Sequence, residues 1–253
     1  MARRPPGRTT PDPRSLAGRA ALVTGAAGGI GGAVAGALSS GGARVFGVDL
    51  VGADHDADLT VADEAQGAVR AAVARLGRLD VVVNAAGLSG RRFGDGPVDV
   101  CTEEAWDRVL AGNLKSVYLV SKFAVPELLA AGGGSIVNVS SVLGLVGGDE
   151  DWATHAYAAS KGGVIALTRA IAVAYAGDGI RANVLCPGVI DTAQGARVRE
   201  DPRLRARLRD LQPLTGDLGR PEDVAAVALF LAGPESSFVT GAVVPVDGGW
   251  TAR

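Results

Sequence analysis

Short apolar segments alternate with alanine-rich helical segments along almost the whole chain, and this alternation limits the possible folds more than any other feature. The predicted strands are one weak run ending at Asp58 and six apolar runs, at residues 20–25, 43–49, 80–87, 135–141, 180–188 and 242–249. Helical patterns lie between them, at residues 30–40, 61–76, 103–131, 157–176 and 221–232. Short, continuously apolar strands separated by helices indicate a parallel sheet covered on both faces. The sequence therefore predicts a single doubly wound α/β domain, a Rossmann-type fold, over residues 16–253.

Composition narrows the choice of partners and of location. With 47% hydrophobic residues and a formal net charge of −2, the chain has no bulk attraction for nucleic acid or for an anionic membrane, so we expect neither as a partner. Residues 1–15 are rich in arginine and proline, and we predict a disordered basic tail there. Cys101 and Cys186 are too few for a disulfide framework, and no Cys/His spacing suits zinc. We expect no metal site and a cytoplasmic location.

A glycine-rich turn, TGAAGGIG at residues 24–31, follows the first predicted strand and opens the first predicted helix. Backbone N–H groups at a helix N-terminus bind phosphate, and glycine lets the backbone approach it closely. The spacing of Gly25, Gly29 and Gly31 is not the G-x-G-x-x-G of the commonest dinucleotide motif. The turn predicts a pyrophosphate site, with tight helix packing as the alternative explanation.

Asp49 ends the second predicted strand, where a dinucleotide-binding fold places an acidic residue about 20 residues after the turn. A carboxylate there accepts hydrogen bonds from both ribose hydroxyls of adenosine and repels a 2′-phosphate. Gly28 in the turn, and Leu50 and Val51 after the aspartate, offer no cation to hold that phosphate. The pattern favours NAD over NADP, although the aspartate would also suit a loop cap.

Tyr157 and Lys161, in the segment HAYAASKGG, lie four residues apart at the start of a predicted helix and therefore share one face. An ammonium beside a phenol favours the phenolate and lowers a pKa that is ordinarily about 10. Tyr157 would then donate and accept a proton nearer neutral pH. A solvent-exposed surface pair is the alternative interpretation of this spacing.

An ordered set of motifs makes the chain, from about Leu16 to Trp250, resemble a single-domain short-chain dehydrogenase/reductase. The motifs are TGAAGGIG, NAAG, AGNLKSVY, VNVSSVLG, YAASK, PGVIDT and SSFVTGAVVPVDGG. Any one of them is weak evidence, but together and in this order they are highly specific. The NAAG segment departs from the family's usual NNAG, because Ala85 stands in place of the second asparagine.

The resemblance implies four catalytic residues. Tyr157 would be the general acid/base, and Lys161 would lower the pKa of Tyr157 and bind the nicotinamide ribose. Ser141 would hold the substrate oxygen, with Ser140 as the alternative because only one of two adjacent strand residues faces a cleft. Asn113 would support a proton path through Lys161, with a helix N-cap as its alternative role.

The resemblance also implies an NAD site, in which Ile190 and Thr192 orient the nicotinamide, Asp58 and Leu59 flank the adenine, and Asn84 lies near a ribose. Tying the central strands together is the alternative role for Asn84. The full implied set is Gly25, Gly29, Ile30, Gly31, Asp49, Leu50, Asp58, Leu59, Asn84, Ala85, Gly87, Tyr157, Lys161, Pro187, Gly188, Ile190 and Thr192.

The predicted function is NAD-dependent interconversion of a small secondary alcohol and a ketone. An NADPH-dependent β-ketoacyl thioester reductase is the alternative within the family, and a catalytically silent dinucleotide sensor or scaffold is the alternative outside it. Two segments would set the identity of the substrate. The first is the charged loop at 144–156, for which a simply solvated loop is the alternative. The second is the arginine-rich segment at 193–219, predicted to be a mobile lid whose leucines close over an apolar substrate, with a fixed surface helix whose leucines belong to the core as the alternative. Helices 103–131 and 157–176 are apolar enough to predict a homotetramer.

Overall fold

Seven parallel strands form a single sheet in the computed structural model, which describes residues 16–252. The strands are β1 (Ala20–Thr24), β2 (Arg44–Asp49), β3 (His55–Asp56), β4 (Val81–Asn84), β5 (Gly134–Val139), β6 (Ile180–Pro187) and β7 (Val243–Val246). Their order in the sheet is β3-β2-β1-β4-β5-β6-β7, so the direction of winding reverses between β1 and β4. The predicted doubly wound α/β fold is confirmed. The predicted disordered tail at residues 1–15 lies outside the described residues.

Helices cover both faces of this sheet. They are α1 (Gly29–Ser40), α2 (Ala62–Leu76), α3 (Glu103–Leu110), α4 (Ser116–Ala130), α5 (His155–Tyr175), α6 (Ala196–Glu200), α7 (Pro202–Leu211) and α8 (Pro221–Ala232). Within residues 16–252, none of these helices has both the length and the apolar character that crossing a bilayer requires.

The alternation of side chains along β1 shows how the two faces are built. Ala20 and Leu22 pack in one buried cluster with residues of α2, α4 and α5. Ala21 and Val23 point the other way and pack with α1 and α8. Because successive strand residues point to opposite faces, a strand buried on both sides must be apolar throughout. This is why the strands are continuous apolar runs.

The prediction of a single helix over residues 103–131 is wrong in one respect. This segment forms two helices, α3 and α4, joined by a wide π-type turn at Ala111–Lys115. Asn113 lies in this turn, fully buried. Its side-chain oxygen accepts a hydrogen bond from the Leu88 N–H at 2.7 Å, and its amide nitrogen donates to the Leu88 carbonyl at 3.1 Å. Single π-type turns inside helices often mark functional sites. Here the turn brings Asn113 to the loop that follows β4.

The segment at 193–219 forms α6 and α7 and contributes to a third buried cluster. Leu204 and Leu208 are completely buried there, against Trp152 and Trp250. The expectation that the leucines of α7 close over a substrate is therefore wrong for these two, because they face the interior of the protein. The mobility of the segment stays a prediction.

Candidate active site

A cleft of about 770 Å³ opens at the carboxyl ends of the strands, where the winding reverses between β1 and β4. Doubly wound sheets bind their ligands at this position. Most of the residues implied by the sequence line it together. They are Gly25, Gly29, Ile30, Gly31, Asp49, Leu50, Asp58, Leu59, Ala85, Gly87, Ser141, Tyr157, Lys161, Pro187, Gly188, Ile190 and Thr192.

The glycine-rich turn is closely packed against the rest of the cleft. Gly25 has a φ of +70°, and a Cβ atom there would lie 2.8 Å from the amide nitrogen of Ala86. A Cβ on Gly31 would overlap the Gly25 carbonyl oxygen, and one on Gly29 would lie 2.5 Å from Cγ2 of Thr192. Tight packing, the alternative explanation for these glycines, is thus part of the reason for them.

The same turn also has the chemistry of an anion site. Within residues 16–252, the N–H groups of Gly29, Ile30 and Gly31 donate no hydrogen bond to the protein. No acidic residue lies in the first turn of α1 and no side chain caps it. Unpaired N–H groups at the N-terminus of a twelve-residue helix, with the positive end of its dipole, bind phosphate oxygens. These residues therefore fit the pyrophosphate of a dinucleotide.

Asp49 lies at the end of β2 and holds the turn from the opposite side. Its Oδ2 accepts a hydrogen bond from the Ala27 N–H at 3.0 Å, and its Oδ1 accepts one from the Leu50 N–H at 2.8 Å. Each carboxylate oxygen has a second lone pair. The partly exposed carboxylate can thus cap its own loop and still accept hydrogen bonds from a ribose.

Tyr157 lies on the first turn of α5, partly exposed in the cleft. Burial raises the pKa of its phenol, a hydrogen bond from Ser141 opposes that shift, and the Cys186 thiol adds to it. Lys161 makes no resolved contribution to the pKa of Tyr157 in this structure. The expected lowering is therefore not observed, because the desolvation of the phenol outweighs its one favourable contact.

Lys161 is almost completely buried behind the tyrosine. Its Nζ donates a hydrogen bond to the Val139 carbonyl at 3.0 Å and lies 5.6 Å from the centre of the Tyr157 ring. Burial lowers the pKa of Lys161 to about 8. Lys161 therefore exchanges its proton closer to physiological pH than an exposed lysine does, whereas Tyr157 does not.

The two adjacent serines after β5 have different contacts. Ser140 donates its hydroxyl proton to the Lys161 carbonyl at 2.7 Å and so fixes α5 to the sheet. The Ser141 hydroxyl accepts a hydrogen bond from the Leu143 N–H at 3.2 Å, and it lies near enough to Tyr157 to oppose the rise in the pKa of that phenol. Of the two, Ser141 has the geometry to hold a substrate oxygen beside Tyr157.

Asn84 and Asn113 are not among the residues that line the cleft. Asn84 donates a hydrogen bond to the side-chain oxygen of Asn138 at 2.8 Å, so it ties β4 to β5, the alternative role considered for it. Asn113 is not a helix N-cap. Its side chain holds Leu88 and also donates to the Ser160 hydroxyl at 3.1 Å, one turn of α5 from Tyr157.

Asp95 caps the helix that carries Tyr157, a role that the sequence analysis missed. Its Oδ1 and Oδ2 accept hydrogen bonds from the N–H groups of Ala156 and Tyr157, both at 3.0 Å. Asp95 itself is buried, and Thr154, the residue at the N-cap position, makes no side-chain cap. A carboxylate at a helix N-terminus satisfies unpaired N–H groups and stabilises the helix dipole.

Comparison with known proteins identifies the family. A model of the family described as enoyl-(acyl carrier protein) reductase matches residues 25–251. The protein belongs to the short-chain dehydrogenase/reductase family. It is 42% identical over 254 residues to a cis-4-hydroxycyclohexanecarboxylate dehydrogenase of Sinomonas cyclohexanicum, with 94% of this chain and 98% of the relative covered. It is 39% identical over 251 residues to a 3-oxoacyl-[acyl-carrier-protein] reductase of Thermotoga maritima, with 92% and 98% covered.

A solved structure agrees with this assignment. A proposed NAD(P)-dependent gluconate 5-dehydrogenase from Beutenbergia cavernae, with NADP bound at low occupancy, superposes with a TM-score of 0.86 at 36% identity, covering 96% of this chain and all of that one. This short-chain dehydrogenase/reductase is thus an oxidoreductase, and the family uses a nicotinamide dinucleotide.

Beyond Tyr157, the wall of the cleft differs from what the sequence of this short-chain dehydrogenase/reductase predicts. The loop at 144–156 contributes Trp152 and Thr154 to the cleft wall, and its role in specificity stays a prediction. Its Asp151, however, is buried and ion-paired to α7 rather than solvated. The arginines of the wall, Arg91 and Arg197, were not singled out from the sequence, because their spacing matches no motif.

Proposed function

We propose that the protein interconverts a secondary alcohol and a ketone with NAD(H) as the hydride carrier. The observation that supports this most directly is the juxtaposition of Ser141, Tyr157 and Lys161 in the cleft that also contains the phosphate-binding turn. A proton donor, its neighbouring cation and a dinucleotide site are the groups that such a reaction requires.

The protein residues supply binding and proton transfer. NAD, when bound, supplies a hydride acceptor at C4 of its nicotinamide ring. In the oxidative direction, the Ser141 hydroxyl donates a hydrogen bond to the substrate oxygen, and the phenolate oxygen of Tyr157 accepts the proton of the substrate hydroxyl. The Nζ of Lys161 lies 5.6 Å from the centre of the Tyr157 ring, so a charged ammonium there would favour the phenolate once it forms. In the reductive direction, Tyr157 returns the proton to the oxygen of the product.

Preference for NAD over NADP is the finer part of this proposal. Asp49 carries a negative charge at the position of the adenosine ribose, and the cleft residues beside it, Leu50 and Leu59, are uncharged. A 2′-phosphate would meet a carboxylate and no cation. Measuring kcat/KM for NAD and for NADP with the same alcohol tests this preference directly.

The experiment that tests the activity is a screen of alcohols and ketones with NAD(H) and NADP(H), followed by nicotinamide absorbance. Tyr157→Phe removes the proton-carrying oxygen and should lower kcat by about 100-fold or more, while the affinity for NADH stays nearly unchanged. Tyr175→Phe, at a tyrosine that packs on the buried core at the end of α5 and is not in the cleft lining, is the matched control and should keep full activity. If Tyr157→Phe retained most of the activity, the proposed acid/base would be wrong.

Reduction of a β-ketoacyl thioester with NADPH is a second candidate, favoured by the similarity to the reductase of Thermotoga maritima. An acetoacetyl thioester in the same screen distinguishes the two reactions. A silent sensor or scaffold is disfavoured because Tyr157 and Lys161 are both present and both in the cleft.

We also propose that the protein is a homotetramer that pairs through α4 and α5. Beyond His155 in its first turn, the exposed residues of α5 are alanine and valine apart from Arg169, and Val173 is 84% exposed. On α4, Tyr118 and Leu129 are exposed as well. A helix that is apolar on both its sheet-facing and its outer sides requires a second cover. A monomer mass by light scattering at micromolar concentration would contradict this.

A further inference from the structure

Two arginines from different parts of the chain meet on the cleft wall near Trp152. Arg91 follows β4, and Arg197 lies on α6. Both donate to one acceptor, the backbone carbonyl of Asp151, at 2.7 Å from Arg91 and 2.9 Å from Arg197. The two guanidinium groups are therefore neighbours with the same charge.

The nearby carboxylates are already engaged elsewhere. Asp151 pairs through its side chain with Arg203, at 2.6 Å, and with Arg207. Both carboxylate oxygens of Asp95 accept hydrogen bonds from N–H groups at the start of α5. Within residues 16–252, neither Arg91 nor Arg197 forms a salt bridge. Two positive charges are thus left facing the cleft.

The surroundings of Arg91 show that this arrangement is costly. Partial burial and the neighbouring Arg197 hold the pKa of Arg91 below its usual value, against the opposite influence of Asp95 and Asp151. Arg91 is partly buried whereas Arg197 is exposed, so the cost falls on the Arg91 charge, and an anion that joins the two guanidinium groups would lower it.

A purely structural role accounts for only part of this arrangement. A guanidinium has five N–H donors in a planar fork, and one hydrogen bond to a carbonyl uses a single donor of each arginine. The indole N–H of Trp152, on the same wall, also has no acceptor in the part of the chain that the structure describes. All three groups are donors, and an oxyanion is the ligand that accepts from all of them.

The acidic and the basic residues of the cleft also lie in different parts of it. The acidic ones are Asp49 and Asp58, at the β2 and β3 side of the sheet. The basic ones are Arg91, Arg92, Lys161 and Arg197. Since the acidic side is the side of the adenosine, the arginines belong to the substrate side.

We propose that Arg91 and Arg197 bind an oxyanion carried by the substrate, a carboxylate or a sulfonate, so that the protein acts on hydroxy acids and the corresponding oxo acids. This inference rests on the proposed alcohol–ketone activity. The anionic group is held by the two guanidinium forks, and the hydroxyl-bearing carbon extends from them to Ser141 and Tyr157.

The first test compares charged and neutral forms of one substrate. The probes are cis-4-hydroxycyclohexanecarboxylate and 3-hydroxybutanoate, each beside its methyl ester, and the ring sulfonate analogue of the first. We expect kcat/KM to be about 10- to 100-fold higher for at least one acid than for its ester, because charge-assisted hydrogen bonds of this kind discriminate by that factor. The carboxylate and sulfonate arms distinguish which oxyanion is preferred. Equal kcat/KM for acid and ester in both pairs would overturn the proposal.

The second test removes the charges. Arg91→Gln and Arg197→Gln keep a donor for the Asp151 carbonyl, and each should raise KM for the preferred acid about tenfold or more while the constants for its ester barely change. Arg70→Gln, at an exposed arginine of α2, is the matched control. Equal losses for acid and ester would indicate that the arginines only tether the loop, and would refute the assigned role.

A binding measurement separates this inference from the proposed activity. In the Tyr157→Phe variant loaded with NADH, calorimetry should still detect the acid, and Arg197→Gln in that background should weaken its binding. If no alcohol or ketone is turned over, the proposed function fails but this measurement still decides the oxyanion site. If turnover occurs and acid and ester bind equally, the oxyanion site alone fails.

Discussion

Replacing Leu208 with alanine separates two views of α7, a lid over the substrate and a fixed part of the protein interior. Leu208 is completely buried in a cluster whose other buried members are Val142, Trp152, Val198, Leu204 and Trp250. A Leu→Ala change at such a site removes the transfer free energy of the side chain and leaves a cavity that rigid neighbours cannot fill. We expect the free energy of unfolding to fall by about 3–5 kcal/mol.

The same helix and the turn after it provide a graded series for comparison. Leu211 is partly buried against the same cluster, and Leu211→Ala should cost about 1–2 kcal/mol. Leu214 is 84% exposed, and Leu214→Ala should change the free energy of unfolding by less than about 0.5 kcal/mol. Because Leu208 is not in the cleft lining, KM should change little in Leu208→Ala.

Urea unfolding followed by tryptophan fluorescence measures this series. Trp152 and Trp250 lie in the cluster with ring centres 5.2 Å apart, so its loss changes the signal. All variants must be compared at one protein concentration, since association would add to the apparent stability. If Leu208→Ala raised KM severalfold with stability unchanged, the lid hypothesis would be right and the packing argument wrong. Amide exchange adds an independent check, because strong protection across residues 202–211 is expected of a helix anchored in this way.

Three further predictions concern the cleft. Asp49→Asn keeps an acceptor for the Ala27 N–H but removes the charge, so the NADP/NAD ratio of kcat/KM should rise about tenfold, and an unchanged ratio would contradict the assigned repulsion. Asp95→Asn leaves one acceptor for two N–H groups and should lower the free energy of unfolding by about 1–3 kcal/mol. It should also reduce kcat more than it changes the KM for NAD. The control, Asp99→Asn at an exposed aspartate, should change neither the stability nor kcat. Burial lowers the pKa of Lys161 to about 8 and raises that of Tyr157, so a rise in pH through the pKa of Lys161 removes the ammonium that favours the phenolate while Tyr157 keeps its proton. The kcat for alcohol oxidation should therefore fall as pH rises above about 8, and a kcat that keeps increasing through that pH would refute this.

The fold could be predicted from the sequence because its signals are local. Apolar runs locate six of the seven strands, while the short polar strand β3 gives only a weak signal. The turn from Gly25 to Gly31 gives the position of the proposed phosphate site before any contact is known. The wide turn around Asn113 could not be found in this way. The residues on either side of it favour helix, and the partner that explains the turn, Leu88, lies 25 positions earlier in the chain.

The polar contacts around the proposed substrate site were the hardest to predict, because there too the partners lie far apart in the sequence. Asp95 caps a helix that begins about 60 residues later, and Arg91 and Arg197 meet a carbonyl that is 60 and 46 positions away from them. Aspartate and arginine in loops are ordinarily solvated, so their residue type alone gives no signal. The pKa of Tyr157 was misjudged because spacing on a helix shows which charge is near, but not how much water the fold has removed.

The distribution of charge in the cleft gives the two ligands different sites by electrostatics alone. In the proposed complex, the free N–H groups of Gly29, Ile30 and Gly31 would bind the pyrophosphate, and the Asp49 carboxylate beside them would repel any other anion from the adenosine position. An anionic substrate is therefore disfavoured at the adenosine end and attracted by the arginines at the other. Lys161 lies almost completely buried in the same cleft, where a charged ammonium is costly, and an anion bound nearby lowers that cost. Binding of the two ligands should consequently favour the protonated form of Lys161 and, through it, the phenolate of Tyr157 that the oxidation of an alcohol requires.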